Sequence, residues 1–195
     1  NDTDWQFVSA GANHSFGIKT NGSLWAWGWN YYEQLGDGST TNKANPVQIA
    51  SGSSWNAVYG GASHSMGIKN DGSLWCWGSD LSGQLGNGAS TGFVGIPTQI
   101  VTGSSWQSIS GGSNHTLGIR TDANLWTWGS NGFGSLGNSS NVDSESPVFV
   151  FCPTSIIGLN ELSAKSDLYS IYPNPVSDNL TVLVSGKENI DKLII

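Results

Sequence analysis

Residues 14–38, HSFGIKTNGSLWAWGWNYYEQLGDG, recur almost letter for letter at 64–88 as HSMGIKNDGSLWCWGSDLSGQLGNG, and this recurrence decides the fold. A looser third copy begins at His115. Outward from these stretches, Trp5, Trp55 and Trp106 precede the copies at spacings of 50 and 51 residues. Gly17, Gly67 and Gly118 keep those offsets, as do the pairs Trp25/Trp27, Trp75/Trp77 and Trp126/Trp128. Nine of the ten tryptophans are therefore periodic, and only Trp29 stands outside the repeat. A period of this length marks an array of supersecondary units, each burying its apolar faces only against its neighbours.

Each copy reads as strands. Trp5 to Ala10 is rich in aromatic and β-branched residues and stops at Gly11. His14 to Lys19 meets Ser23 to Trp27 through Asn21-Gly22, and the second copy offers Asp71-Gly72. Such dipeptides between apolar runs predict a hairpin with a type I′ turn, which needs positive φ at both central residues. The third copy has Asp122-Ala123, where the alanine Cβ opposes positive φ. There Asn124 is the alternative bearer, in a shifted or longer turn. Along a strand Trp25 and Trp27 share one face and Leu24 and Ala26 the other, so both faces are apolar and the sheet is packed on two sides. A loop holding Gln34-Leu35-Gly36, Gln84-Leu85-Gly86 or Ser135-Leu136-Gly137 follows. A last run opens at Pro46, Pro97 or Pro147, where proline suits the first residue of a strand or an edge.

The quoted strings resemble repeats of the regulator of chromosome condensation family. That resemblance implies an all-β fold, a partial β-propeller of three four-stranded blades arranged radially, taken from rings of seven. It covers residues 5 to about 152, with repeats at about 1–51, 52–102 and 103–152. Departures from the family pattern are Glu33 for glycine, Ser135 for glutamine and Ala123 for glycine, and each is expected to weaken its turn. Three blades leave two apolar faces without a neighbour, so the chain is expected to be a fragment at both ends and, alone, to self-associate.

After Cys152 the period stops. Residues 153–168 read as a linker, and 169–195 contain Tyr172-Pro173-Asn174-Pro175 before an alternating run from Leu180 to Val184. The prolines fix an extended or turn segment and the alternation reads as a half-buried strand. With Gly158-Leu159-Asn160-Glu161, these residues resemble the opening of the C-terminal sorting domain of type IX secretion. That family's domain is a small β-sandwich, and the resemblance implies Tyr172, Pro173, Asn174 and Pro175 as sorting signal. It further implies the type IX machinery as a partner, and secretion or display on the outer membrane of a Gram-negative bacterium.

Composition narrows the functions. The net charge is −7, from Lys+Arg 7 and Asp+Glu 14, and Lys19, Lys43, Lys69 and Arg120 are the only basic residues before the tail. They are scattered along the sequence and give no cation cluster to displace phosphate counterions, so nucleic acid is not expected as a partner. No run approaches the ~20 apolar residues of a membrane helix. The chain starts at Asn1 with Met66 as its one methionine, so its start is expected to have been processed or cut away. Cys76 and Cys152 occupy unrelated repeat positions, which favours small buried thiols over a disulfide.

Catalytic motifs are absent: no phosphate loop, zinc helix or calcium loop is present, and no carboxylate recurs in all three copies. His14, His64 and His115 recur, and are read as ties between neighbouring strands rather than as metal ligands, which must converge within ~2.1 Å of one ion. The tryptophan pairs are read as core. No cofactor, metal or catalytic activity is expected. Residues that differ between copies are the better site candidates: Trp29, Tyr31 and Tyr32 stand where Ser79, Leu81 and Ser82, then Ser130, Gly132 and Phe133, stand in the others. Trp29, Tyr31, Tyr32, Leu81 and Phe133 are therefore the candidate ligand contacts, for an unidentified protein or glycan. The alternative is that Tyr31 and Tyr32 fold back over their own blade.

Three functions compete. The leading one is a secreted or cell-surface binding protein. The second is the binding module of a larger secreted enzyme whose catalytic domain lies elsewhere, which the full reading frame would reveal. Remotest is guanine-nucleotide exchange on a small GTPase, which requires a basic chromatin-facing region.

Overall fold

The computed structural model describes residues 3–52, 54–90, 92–100, 102–103 and 105–151, and three short strands further on. Within 1–151 the chain forms three four-stranded antiparallel meanders. The first is β1 (Trp5–Ala10), β2 (His14–Lys19), β3 (Leu24–Gly28) and β4 (Lys43–Ile49). The second is β5 (Trp55–Gly60), β6 (His64–Lys69), β7 (Leu74–Ser79) and β8 (Phe93–Ile100). The third is β9 (Trp106–Gly111), β10 (His115–Arg120), β11 (Leu125–Gly129) and β12 (Ser144–Phe149). These are the blades the repeat requires. A separate unit beyond Phe151 contains β13 (Tyr169–Ile171), β14 (Thr181–Val184) and β15 (Leu193–Ile194) in one antiparallel sheet. The expected sorting signal at Tyr172, Pro173, Asn174 and Pro175 lies outside the described residues, as does Cys152.

The core sits between blades. Phe16, Ile18, Leu24 and Ala26 of blade one bury against Trp55, Val58 and Trp77 of blade two. Met66, Ile68, Leu74 and Cys76 then bury against Trp106, Ile109 and Trp128 of blade three. Each sheet thus presents two unlike faces, one aliphatic and one carrying tryptophan, and neighbours mate unlike to unlike. Leu35 and Leu85, from the loops after the tryptophan strands, complete these clusters. Gly17, Gly67 and Gly118 are small because Trp5, Trp55 and Trp106 lie across them: a Cβ there would strike the indole ring.

The hairpins differ from the expected type I′. Gly22 has φ 78° and Gly72 φ 79°, while neither Asn21 nor Asp71 has a positive φ. Gly22 N donates to Lys19 O at 2.8 Å and Lys19 N to Ser23 O at 3.0 Å, so a type I turn is followed by a left-handed bulge residue. The Asn or Asp side chain is what selects this turn. Asn21 Oδ1 accepts Ser23 N at 3.0 Å, Asp71 Oδ1 accepts Ser73 N at 2.9 Å, and Asp122 Oδ1 accepts Asn124 N at 3.0 Å. In blade three Ala123 itself takes φ 65°, and the turn neither shifts nor lengthens. Ala123→Gly should therefore relieve left-handed strain and raise stability by about 0.5–1 kcal/mol, read from the urea midpoint. A lower midpoint would show that Ala123 is held there by packing.

The fourth strands also begin earlier than their prolines. Val47 pairs with Ala26 and Lys43 with Gly28, with a bulge between that contains Pro46. Pro97 and Pro147 sit at the same irregularity in β8 and β12. Each is an outer strand paired on one side only, so a bulge there tolerates the missing donor.

Candidate binding site

The periodic polar groups join blades. His14 Nε2 lies 3.1 Å from Ser65 Oγ, and His64 Nε2 lies 3.1 Å from Thr116 Oγ1, each time on the next blade. Ser65 Oγ donates to Gln34 O at 2.7 Å and Thr116 Oγ1 to Gln84 O at 2.8 Å. Because each hydroxyl proton is committed to a carbonyl, the imidazole must be the donor, which places its proton on Nε2. Sequence reasoning assigned the histidines a tying role; the structure moves the tie from neighbouring strands to neighbouring blades. Burial pushes His14 down to about 4 and His64 to about 3, the latter helped by the nearby His14 and His115 charges. The two imidazoles serve separate interfaces, His14 between blades one and two and His64 between blades two and three. Cys76 is a buried free thiol, pushed well above its ordinary range by burial and by Asp80.

The basic residues are not scattered. Lys19, Lys69 and Arg120 fall on the repeat period, and each lies over two tryptophans. Lys19 Nζ is 5.1 Å from the Trp5 ring and 5.0 Å from Trp25; Lys69 Nζ is 3.4 Å from Trp75; the Arg120 guanidinium is 3.8 Å from Trp126. The remaining cation before the tail, Lys43, pairs with Asp37 at 3.0 Å. A spacing check on the charges would have found the first three, because cations at repeat offsets beside periodic tryptophans satisfy cation–π geometry.

What breaks the repeat is aromatic and comes together in one place. Trp29 and Tyr31 are parallel within 10° at 6.3 Å between centroids. Tyr32 stands perpendicular to both, 5.2 Å from Trp29 and 5.1 Å from Tyr31. A fourth ring, Phe93, reaches Tyr32 at 5.1 Å from the outer strand of blade two. Tyr31 is 62% and Phe93 41% exposed, so the cluster is a surface feature spanning two blades. Tyr32 packs on Trp29 and Tyr31 of its own loop and reaches the neighbouring blade as well. Phe93 escaped the sequence reading because it lies on a different repeat. The comparison that finds it is its own repeat column, where Asn42 and Asp143 are the counterparts.

The loop beneath is rigid. Asn30, fully buried, accepts Leu35 N on Oδ1 at 2.9 Å and donates from Nδ2 to Asp37 Oδ1 at 3.0 Å and to Ser39 O at 2.6 Å. Gln34 Oε1 accepts Tyr32 N at 3.0 Å, and Gln84 Oε1 accepts Ser82 N at 2.8 Å in blade two. Glu33, at φ 61°, has its carboxylate against Gly95 of blade two. Between blades two and three the roles reverse, and Gly83 faces Glu145. One glutamate reaches across each blade junction, from alternate sides, which accounts for Glu33 where the family has glycine.

Leu81 and Phe133 are exposed on the corresponding loops of blades two and three and do not join the cluster. Phe133 makes no ring contact among the described residues. The groove that Tyr32 and Phe93 fill between blades one and two is open between two and three. There it is a polar cleft of about 480 Å³ lined by Leu81, Ser82, Ser90 and Glu145.

Four-stranded meanders that mate unlike face to unlike face define a β-propeller scaffold. The chain belongs to the regulator of chromosome condensation repeat family, whose models match residues 21–68, 71–119 and 122–165, and in another phase 5–34, 55–84 and 106–135. It is 35% identical over 151 residues to the ultraviolet-B receptor UVR8 of Arabidopsis thaliana, covering 76% of this chain and 34% of the receptor. Yeast RCC1 (Prp20) bound to Kap60 superposes with a TM-score of 0.72 at 19% identity, over 78% of this chain and 38% of that one. Human WBSCR16 gives 0.70 at 20% identity, over 94% and 48%. The chain thus spans about a third of the length of the curated relative it matches. No helix among the described residues is long and apolar enough to cross a membrane.

Proposed function

We propose that this chain is a binding scaffold without chemistry of its own, displayed on or released from the surface of a Gram-negative bacterium through type IX secretion. The observation that carries the binding half is the division of labour among side chains. The recurring His14 and His64 join neighbouring blades and the recurring cations lie over tryptophans of their own blade, whereas the repeat-breaking rings of Trp29, Tyr31, Tyr32 and Phe93 lie together at the surface. Loops held by a rigid scaffold are where binding residues concentrate. A relative crystallised from Saccharomyces cerevisiae is described by its binding to Gsp1p and histones, so recognition of other molecules has precedent on this fold. Guanine-nucleotide exchange on a small GTPase ranks lower here, because Lys19, Lys69 and Arg120 lie over tryptophan rings and leave no basic face among the described residues.

The export half rests on Gly158-Leu159-Asn160-Glu161 and Tyr172-Pro173-Asn174-Pro175. Deleting residues 160–195, together with whatever follows them in the full reading frame, should make the propeller accumulate in the periplasm, followed by cell fractionation and immunoblotting. Undiminished appearance at the surface or in the medium would overturn type IX export.

A further inference from the structure

We propose that Trp29, Tyr31, Tyr32 and Phe93 form a carbohydrate-binding platform for neutral, equatorially substituted glycans such as β-linked glucans. This rests on the binding reading above and adds the ligand class. Four departures from the repeat converge on one patch, although they come from two blades and from sequence positions more than sixty residues apart at the extremes, Trp29 to Phe93. Folding does not demand them. Blade two builds the same loop, with the same glutamine accepting the same backbone N–H, from Leu81 and Ser82, and blade three puts Asp143 where Phe93 stands. Rings that the scaffold can do without, yet keeps half in water, are available for a ligand.

The chemistry of the patch selects a sugar over an aliphatic surface. Its ring contacts are all aromatic, and three of the four side chains carry a polar tip: the Trp29 indole N–H and the two phenol hydroxyls. An equatorially substituted pyranose has the matching character, with axial C–H groups forming flat apolar faces and hydroxyls around the rim. Trp29 and Tyr31 are stacked, parallel within 10° at 6.3 Å between centroids, so the face the pair leaves open is flat and apolar, as the face of a pyranose requires. The platform is set before the ligand arrives, since Gln34, Asn30 and Asp37 fix the loop, so little ordering entropy opposes binding. Glu33 beside the patch and the chain's net charge of −7 disfavour acidic polysaccharides.

The test is affinity electrophoresis of the 195-residue chain in gels containing hydroxyethyl cellulose, barley β-glucan or sodium polygalacturonate. Retardation is expected in the two neutral glucans and not in polygalacturonate. Tyr31→Leu combined with Tyr32→Ser, the residues of blade two, should weaken retardation at least tenfold in apparent Kd while leaving the thermal midpoint nearly unchanged. Phe93→Asn, from the neighbouring blade, should weaken it severalfold. If the double variant unfolds, Tyr31→Leu alone, at an exposed ring, must still weaken it severalfold. No retardation in either glucan, retardation that ignores all these variants, or preference for polygalacturonate would each overturn the glycan assignment. Should the variants abolish capture of a protein partner and no glucan bind, the ligand class is wrong and the binding function stands.

Discussion

Lowering the pH from 7 to 4.5 is expected to remove about 4 kcal/mol of folding stability from the propeller through two imidazoles. His14 and His64 are buried as neutral donors to Ser65 and Thr116, with folded values of about 4 and about 3 against an ordinary 6.5. A base whose folded pKa is depressed is protonated first in the unfolded chain. Its contribution is whole above about 6.5 and drains away as the pH falls toward the folded values. At pH 4.5 each unfolded imidazole is almost fully charged while each folded one remains mostly neutral, which yields roughly 2 kcal/mol apiece. Urea denaturation at the two pH values measures the difference. His64→Gln keeps a side-chain N–H donor and abolishes the titration, so it should cut the pH-dependent loss by about half. A stability that is flat between pH 7 and 5 would mean that the histidines accept protons in place, and the blade staple would need another donor assignment.

The blades were legible because their cause is local and repeated: apolar alternation and tryptophan spacing set the strands, and three copies vote on every boundary. The turns and the outer strands depart from general rules in the same way in each copy. Asn21-Gly22 suggested a type I′ turn, but Asn21 Oδ1 is satisfied by Ser23 N, and that bond holds Asn21 at negative φ and leaves positive φ to Gly22 alone. Pro46 suggested a strand start, but an outer strand with a bulge accommodates it internally. The candidate site was half legible. Difference between repeats exposed Trp29, Tyr31 and Tyr32, which are neighbours in sequence. Phe93 needed knowledge of which outer strand lies beside the loop, and that is a property of blade stacking. The pairing of Glu33 with Gly95, and of Gly83 with Glu145, was hidden for the same reason: each partner looks like an isolated exception until the two blades are side by side.

Trp77→Ala should cost about 4 kcal/mol, whereas Trp27→Ala, the same repeat position one blade earlier, should cost roughly half as much. Both residues are second in their Trp pair and both contact the leading tryptophan of their own blade, Trp77 against Trp55 at 5.8 Å and Trp27 against Trp5 at 6.4 Å. Only Trp77 has a blade in front of it. Its indole meets Phe16 edge-on at 5.9 Å, donates from Nε1 to Gln34 O at 2.9 Å and is fully buried. Trp27 is half-buried, and on the same face Val8 is 72% exposed where its counterpart Val58 is 0% exposed. Removing Trp77 therefore opens a cavity between two sheets, while removing Trp27 uncovers a face that already meets water. The hydrogen bond adds little to the difference, because Gln34 O keeps its bond from Ser65 Oγ. Urea midpoints of the two variants, measured on the same chain, supply the comparison. Equal losses would show that the stability of each blade resides within its own sheet, and that mating between blades contributes less than the packing implies.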